Sequence, residues 1–392
     1  MSEERNYYFV KDGRPVEDSP YVRQQIVALM KERNETGLVL VGYEEQATSV
    51  GVPVDALQTV ENFVSAGFDV GQAGACTLPQ LSFMAKNLGA SACYVDDSVC
   101  YLDKGGGYLD GKMELKRIEK KPRGKLMRFE IQREYIRHLR KEIATDRLHN
   151  IALAVGGLNP KLLSLLAQII PLKGLWRVRS EASPSLSQVA ESVVRSRADV
   201  GIKLNSAGTK VEFVDENGTT VTTEEASALI VRYLKEQGSL NGKVARRWNV
   251  SRFFDRVMEK TGITIEENAD FSVGDEIVFQ PHLNIGDGLW LGLIICEIVA
   301  VGERPLSELI KEMHKVVPKR ESKQLKASEG QLDRFLRKLT GKALLARDRG
   351  ELQIDGDIIS WLKNSQYKYD VFLDGDRSRL HFWLEQFPQD TL

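Results

Sequence analysis

Residues 198–218 read ADVGIKLNSAGTKVEFVDENG: a short strand, a turn of small residues, a second strand, and a further turn at Glu216-Asn217-Gly218. The centre, Asn205-Ser206-Ala207-Gly208-Thr209-Lys210, has the spacing of a loop that presents ligands. Its side chains do not match that shape. No residue between 205 and 210 is a carboxylate, so the loop lacks a side chain able to hold a cation firmly.

The pattern around this segment is that of alternating strands and helices. GLVLVGY (37–43) is a branched apolar run bounded by glycine, and VDALQTVENFVSAGF (54–68) follows it with helical period. DVGQAG, LPQLSFMAKNLG and SACYV repeat the cycle as far as residue 95, which predicts a largely parallel sheet covered by helices. A second cycle begins at IQREYIRHLRKEI (131–143) and runs through NIALAV, PKLLSLLAQII, GLWRVR and SLSQVAESVVRS into the opening segment. A third runs from GKVARRW (242–248) to PLSELIKEMHKVV (305–317) and includes the glycine-led helix GDGLWLGLIICEIVAVG. Beyond PKRESKQLK the pattern changes to one helix, EGQLDRFLRKLTG, followed by alternating strands that include YKYDVFL and RLHFWLEQ, as in a small α+β domain.

Composition excludes several classes of partner. With 54 basic against 55 acidic residues the formal net charge is −1, so no long-range field draws the chain to nucleic acid or an anionic membrane. Residues 112–128 carry eight basic side chains but no interleaved aromatics, and they read as a solvated connection. The first fifteen residues lack the basic run and apolar core of a signal peptide, and no stretch approaches a membrane span, which predicts a cytoplasmic protein. The four cysteines form no Cys-x-x-Cys pair and read as buried reduced thiols. The five histidines form no pair at metal-ligand spacing, so no zinc site is expected.

Three similar α/β units followed by a smaller α+β domain resemble the α-D-phosphohexomutase superfamily, the phosphomannomutases, phosphoglucomutases and phosphoglucosamine mutases, from Tyr8 to the end of the chain. The resemblance implies three α/β/α domains with mixed sheets (1–128, 129–236 and 237–318) and a C-terminal α+β domain (319–392) around a central cleft. It also implies four loops facing that cleft, and each can be located here in altered form.

In the metal loop the three family aspartates fall on Asn205, Ala207 and Thr209, and the arginine on Lys210. Each lost carboxylate about 4 Å from a divalent ion forfeits roughly 8 kcal/mol of gross attraction at an effective dielectric of 20. In the phosphoserine loop Ser98 takes the nucleophile position, but Asp96 and Asp97 precede it where a histidine and an asparagine should follow. In the sugar loop Ser272 and Gly274 replace the glutamate and serine that would hold hydroxyl groups, and Glu276 stands where a histidine would. In the phosphate loop Gly375 survives, the arginine position is Leu373 or its neighbour, Asp374 and Asp376 bring negative charge, and Arg377 and Arg379 are the remaining cations. Asp-Gly there reads as a hairpin turn between alternating strands. Near the start, Arg14 is the one residue of the family's entry motif still suited to an anion.

The expectation is a phosphohexomutase homologue without mutase catalysis, acting as a binding or regulatory protein in carbohydrate metabolism. It would need no cofactor, would exist as a monomer or homodimer, and would bind a sugar phosphate or a protein partner, with neither nucleic acid nor membrane involved. The alternative is an active intramolecular phosphotransferase with a rearranged site, in which Ser98 is phosphorylated and Mg²⁺ is bound. A third reading builds a different enzyme from Asp96, Asp97, Glu276, Asp374 and Asp376 as paired carboxylates.

Overall fold

The branched run after Gly37 forms the middle strand of a sheet, and each later cycle of the sequence builds a comparable layer. The computed structural model describes residues 10–11, 14–15, 27, 30, 37–44, 52–96, 99–109, 122–178, 183–247, 250–267, 269–317, 321–340, 349–354, 357–365, 368–375 and 377–387. The chain divides into two compact units, Met1–Thr223 with Glu276–Ser307, and Glu224–Asp275 with Glu308–Leu392. Elements are numbered along the chain.

The first unit opens with an antiparallel pair, β1 (Val10–Lys11) and β2 (Arg14–Pro15). Its first sheet has the order β6-β5-β3-β4-β7, from β3 (Leu38–Tyr43), β4 (Asp69–Ala75), β5 (Ser91–Val95), β6 (Val99–Leu102) and β7 (Leu126–Arg128). Only β6 runs antiparallel to its neighbour. Helices α1 (Val54–Ser65) and α2 (Leu78–Leu88) connect the parallel strands, and α3 (Ile131–Glu142) leads onward.

The second sheet has the order β12-β11-β10-β8-β9, from β8 (Ala152–Gly156), β9 (Gly174–Arg177), β10 (Val200–Leu204), β11 (Val211–Asp215) and β12 (Thr220–Val221). Helices α4 (Pro160–Ile169) and α5 (Leu186–Ser196) connect its parallel strands. When the first four strands of each cycle are counted in sequence, both sheets place them in the order fourth, third, first, second. The fourth is antiparallel in both. The segment Glu276–Ser307 adds β16 (Ile277–Phe279) and α8 (Gly288–Gly302) to this unit. The α8 helix is almost wholly apolar and is buried from Gly288 to Val299, with Glu297 its one charged residue. Gly292 lets it approach β10 closely: a Cβ there would stand 2.7 Å from Ile202 Cδ1.

The second unit contains α6 (Thr223–Glu236), β13 (Lys243–Arg246), α7 (Arg252–Lys260), β14 (Thr264–Ile265), β15 (Phe271–Val273) and α9 (Leu306–Val316). Its strands β14-β13-β15 are parallel and keep the order second, first, third. The C-terminal part is an antiparallel sheet, β17-β20-β19-β18, formed by β17 (Glu321–Ser328), β18 (Arg349–Ile354), β19 (Asp357–Ser365) and β20 (Lys368–Gly375). Helices α10 (Glu329–Thr340) and α11 (Arg377–Gln386) accompany it. This is the multi-domain α/β class the sequence implied.

The structure departs from the sequence reading at RLHFWLEQ. This segment is not a strand but α11, and Asp374-Gly375 is a strand-to-helix junction rather than a hairpin turn. Leu380, Trp383, Leu384 and Phe387 recur at helical spacing and join Phe335, Tyr369 and Val371 in one apolar cluster, which overrides the apparent alternation.

The junction has a structural task. Asp374 is 1% exposed. It accepts the Ser251 hydroxyl at 3.0 Å and the Arg252 N–H at 2.9 Å, so a carboxylate satisfies the first turn of α7. Ser251 in turn accepts the Phe253 N–H at 3.2 Å. Asp374→Ala leaves that hydroxyl and N–H buried without their acceptor and is expected to lower unfolding free energy by about 2 kcal/mol in urea titration. A change within 0.5 kcal/mol, the range of roughly neutral surface substitutions, would show the contact to be incidental.

Candidate functional site

The turn 205–210 closes the β10–β11 hairpin, with Leu204 paired to Val211. Its polar groups are spent inside the turn. Asn205 Oδ1 accepts the Lys210 N–H at 2.8 Å, the Asn205 N–H donates to Lys210 O at 3.2 Å, and Gly208 N–H donates to Asn205 O at 3.0 Å. Thr209 is buried, with its hydroxyl 3.4 Å from Asn205 Nδ2. Gly208 adopts φ of +79°, the left-handed conformation that favours glycine. Ala207 is 2% exposed and lies in an apolar cluster with Leu78, Leu81, Tyr94, Cys100 and Ile285. Two helices begin on this turn: Leu78 N–H at the start of α2 donates to Ala207 O, and Gly288 N–H at the start of α8 donates to Gly208 O, both at 2.9 Å. The family resemblance implies Mg²⁺ here, but the residues do not fit it: a methyl packed in hydrocarbon stands at one ligand position, and the remaining oxygens are neutral and internally bonded.

Ser98 and Asp97 lie outside the described residues, between β5, which ends at Val95, and β6, which begins at Val99. This is the third-to-fourth strand connection of the first sheet, the same place that the 205–210 turn holds in the second. Glu276 takes the Tyr108 hydroxyl at 2.8 Å and the Gly286 N–H at 3.1 Å, joining the loops on either side of it. Asn284 Nδ2 donates to Gly105 O at 2.9 Å and strengthens that junction. Gly286 also approaches the metal-loop turn, since a Cβ there would stand 2.4 Å from Thr209 O and 3.0 Å from Glu276 Cβ. The first unit therefore brings Glu276 and Thr209 together on either side of one glycine.

The second unit holds the remaining candidates. Ser272 pairs with Ala245 within β15, and Gly274 gives room to the Arg247 stem, whose guanidinium meets exposed Asp275 at 2.9 Å. Arg379 is committed to buried Asp357, Nε to Oδ2 at 2.5 Å. The Trp383 N–H donates to the same oxygen at 3.1 Å. Gly375 lies beside that carboxylate, and a Cβ there would stand 3.3 Å from Asp357 Cγ. Arg377 opens α11. Arg14 belongs to β2. The side chains of both lie outside the described residues, as does Asp376. Of the acidic residues of the third reading, Glu276 belongs to the first unit and Asp374 caps α7 in the second, while Asp97 and Asp376 lie outside the described residues.

A polar network that the sequence did not suggest surrounds His282, in the turn before α8. His282 Nε2–H donates to Asp287 Oδ2 at 2.9 Å, and its Nδ1 faces Glu142 Oε2 at 2.5 Å. Asp287 also accepts the Tyr135 hydroxyl at 2.8 Å and caps α8 through the Trp290 N–H at 3.1 Å. Lys86 Nζ binds the His282 carbonyl at 2.9 Å. Burial lowers the His282 pKa, but bonds to Asp287 and Glu142 outweigh it and hold the value above the ordinary 6.5. Burial raises Glu142, and the His138 and His282 imidazoles more than reverse this, holding it at about 2. The only sequence signal for this centre was Asp287 immediately before a long apolar helix, an N-cap pattern.

All four cysteines are buried free thiols, and desolvation pushes Cys76 up to about 12, so it is no nucleophile at neutral pH.

No family model matches the sequence. The phosphoglucosamine mutase of Listeria welshimeri is 25% identical over 306 residues, 65% of this chain and 68% of the relative. That of Exiguobacterium sp. is 26% identical over 308 residues, with the same two coverages of 65% and 68%. Among solved structures, a phosphoglucomutase/phosphomannomutase family protein from Burkholderia thailandensis superposes with a TM-score of 0.70 at 15% identity, covering 95% of this chain and 93% of that one. The phosphoglucomutase pp63/parafusin from Paramecium gives 0.72 at 11% identity over 94% and 91%. The structural likeness defines the class, a multi-domain α/β protein with the phosphoglucomutase and phosphomannomutase fold. The sequence relatives narrow the likeness: the chain is similar to phosphoglucosamine mutases, as a divergent homologue of the α-D-phosphohexomutases.

Restoring one family carboxylate tests the turn. Ala207→Asp places an unpaired charge among Leu78, Leu81 and Tyr94 and is expected to cost about 3–5 kcal/mol in denaturant titration, with no recovery on adding Mg²⁺. Recovery by Mg²⁺ would show that the turn still forms a cation cage.

The network gives a pH signature. The folded pKa of Glu142 lies below its ordinary 4.5, so its contribution to stability is present above pH 4.5 and is lost as pH falls toward 2. The folded pKa of His282 is raised, so its contribution is present below pH 6.5 and is lost as pH rises through the folded value. In metal-free buffer, Glu142→Gln is therefore expected to flatten the acid limb of the stability profile between pH 4.5 and 2. An unchanged slope would separate Glu142 from acid stability.

Proposed function

We propose that this phosphohexomutase homologue has no mutase turnover and acts as a binding or regulatory protein in carbohydrate metabolism, in the cytoplasm and without a Mg²⁺ cofactor. The observation that carries this reading is the burial of Ala207 in an apolar cluster where a metal-binding carboxylate is expected. Phosphoryl transfer relies on positioning and charge stabilisation far more than on covalent chemistry from the protein. Support also comes from the phosphate loop, where the Arg379 cation is committed to Asp357 and the Asp374 carboxylate to the start of α7. The partner in this reading is a sugar phosphate or another protein, bound by a monomer or homodimer. Among the described residues no helix is long and apolar enough to cross a membrane.

The test is a coupled assay with glucose, mannose and glucosamine 1-phosphates, Mg²⁺ and the matching bisphosphate activators. The expected result is no turnover that distinguishes the protein from its Ser98→Ala variant. Turnover that disappears in Ser98→Ala, with phosphate on Ser98 by intact mass, would establish an active phosphotransferase instead.

A further inference from the structure

His138 and Glu142 stand one helical turn apart on α3, so both side chains project from the same face. His282, remote in sequence, arrives from the turn after β16 and meets them. One nitrogen from each imidazole and one Glu142 oxygen lie within 4.8 Å of one another. His138 Nε2 is 3.1 Å from Glu142 Oε1, and His282 Nδ1 is 2.5 Å from Glu142 Oε2. Two imidazoles and a carboxylate are the donor set of three-ligand zinc centres, in which donor atoms at tetrahedral Zn–N distances are separated by about 3.3 Å.

Three further features fit a built centre. First, Asp287 holds the Nε2–H of His282, which directs Nδ1 toward Glu142; a carboxylate on the far nitrogen is the usual way a ligand histidine is oriented. Asp287 is itself fixed by Tyr135 and the start of α8. Second, the rings are clamped: Phe83 lies 4.5 Å from the His138 ring, and Trp290 lies 4.6 Å from that of His282. Third, the donors are graded in exposure. The His282 side chain is 2% exposed, while those of His138 and Glu142 are 26% and 29% exposed, so two of the three donor residues reach the surface.

We propose that His138, Glu142 and His282 form a binding site for one divalent transition ion of the zinc type, separate from the altered 205–210 turn. The two nitrogens favour such an ion over Mg²⁺, which prefers oxygen donors. The rings lie parallel with centroids 5.5 Å apart, and the ion would take the place of the Glu142 contacts with them, with water completing the coordination.

The test uses the full chain, stripped with chelator and titrated with Zn²⁺ by calorimetry, with native mass spectrometry to count bound ions. One ion per chain is expected, and His138→Ala and Glu142→Gln should each weaken binding at least tenfold while circular dichroism shows a folded protein. These two side chains are partly exposed, so their replacement does not depend on tolerance of a change at buried His282. His381→Ala is the control: His381 forms an exposed pair with Glu385, and its loss should leave affinity unchanged. Failure to bind one ion saturably, or binding that survives His138→Ala and Glu142→Gln together, would overturn the site.

Discussion

Two helices begin on the carbonyl oxygens of one hairpin turn. Leu78 N–H and Gly288 N–H each find their acceptor at Ala207 or Gly208, and this places the amino ends of α2 and α8 against the 205–210 segment. An unsatisfied buried N–H costs on the order of 1–3 kcal/mol, so the turn cannot move without loss at two helix starts. Those two ends also present partial positive charge to it. With no carboxylate of its own, the turn offers a cation little. The same contacts preserve the backbone: Gly208 keeps its left-handed conformation, and Gly286 and Gly288 pass close to Thr209 O and Lys210 O. The shape of the loop is conserved by packing that does not require its ligands.

The internal repetition shows which positions have changed. The connections from third to fourth strand carry the serine segment in the first cycle and the metal-loop turn in the second, and the sugar-loop residues span the end of the third strand of the next and the residues after it. Where contacts are described, these loops and the phosphate loop satisfy their polar groups within their own unit. Glu276 binds Tyr108 and Gly286, Asp374 receives the first turn of α7, and Arg379 neutralises buried Asp357. Each contact pairs these groups within the chain, so their charges and hydrogen bonds are balanced without a bound ion.

The fold was legible in the sequence because hydrophobic period and glycine placement are local signals. GLVLVGY, NIALAV and the long helix at 288–302 each became the element their pattern implied. RLHFWLEQ was misread because a short window of mixed residues supports alternation as well as helical spacing, and only packing against Phe335 and Tyr369 decides between them. The altered loops were located by resemblance, but the destinations of their charges were not legible: nothing local links Asp374 to Ser251, or Arg379 to Asp357. His282 was hidden for the same reason. Its partners on α3 are 140 residues away, and the α3 pair is a histidine with a glutamate, which a search for paired histidines passes over.

Asp287 shows why such a centre persists in a protein whose neighbouring loops have diverged. One carboxylate caps α8, accepts Tyr135 from α3 and holds His282. Loss of this side chain would strip the buried first turn of α8 and leave a tyrosine hydroxyl and an imidazole N–H without their acceptor. The cost falls on the core, independent of any reaction. A residue tied to three elements serves stability, and the same contacts keep His282 pointed at Glu142. Orientation of the imidazole is thus a consequence of how the helix starts, and a ligand-binding geometry of this kind can outlast the chemistry of the loops around it.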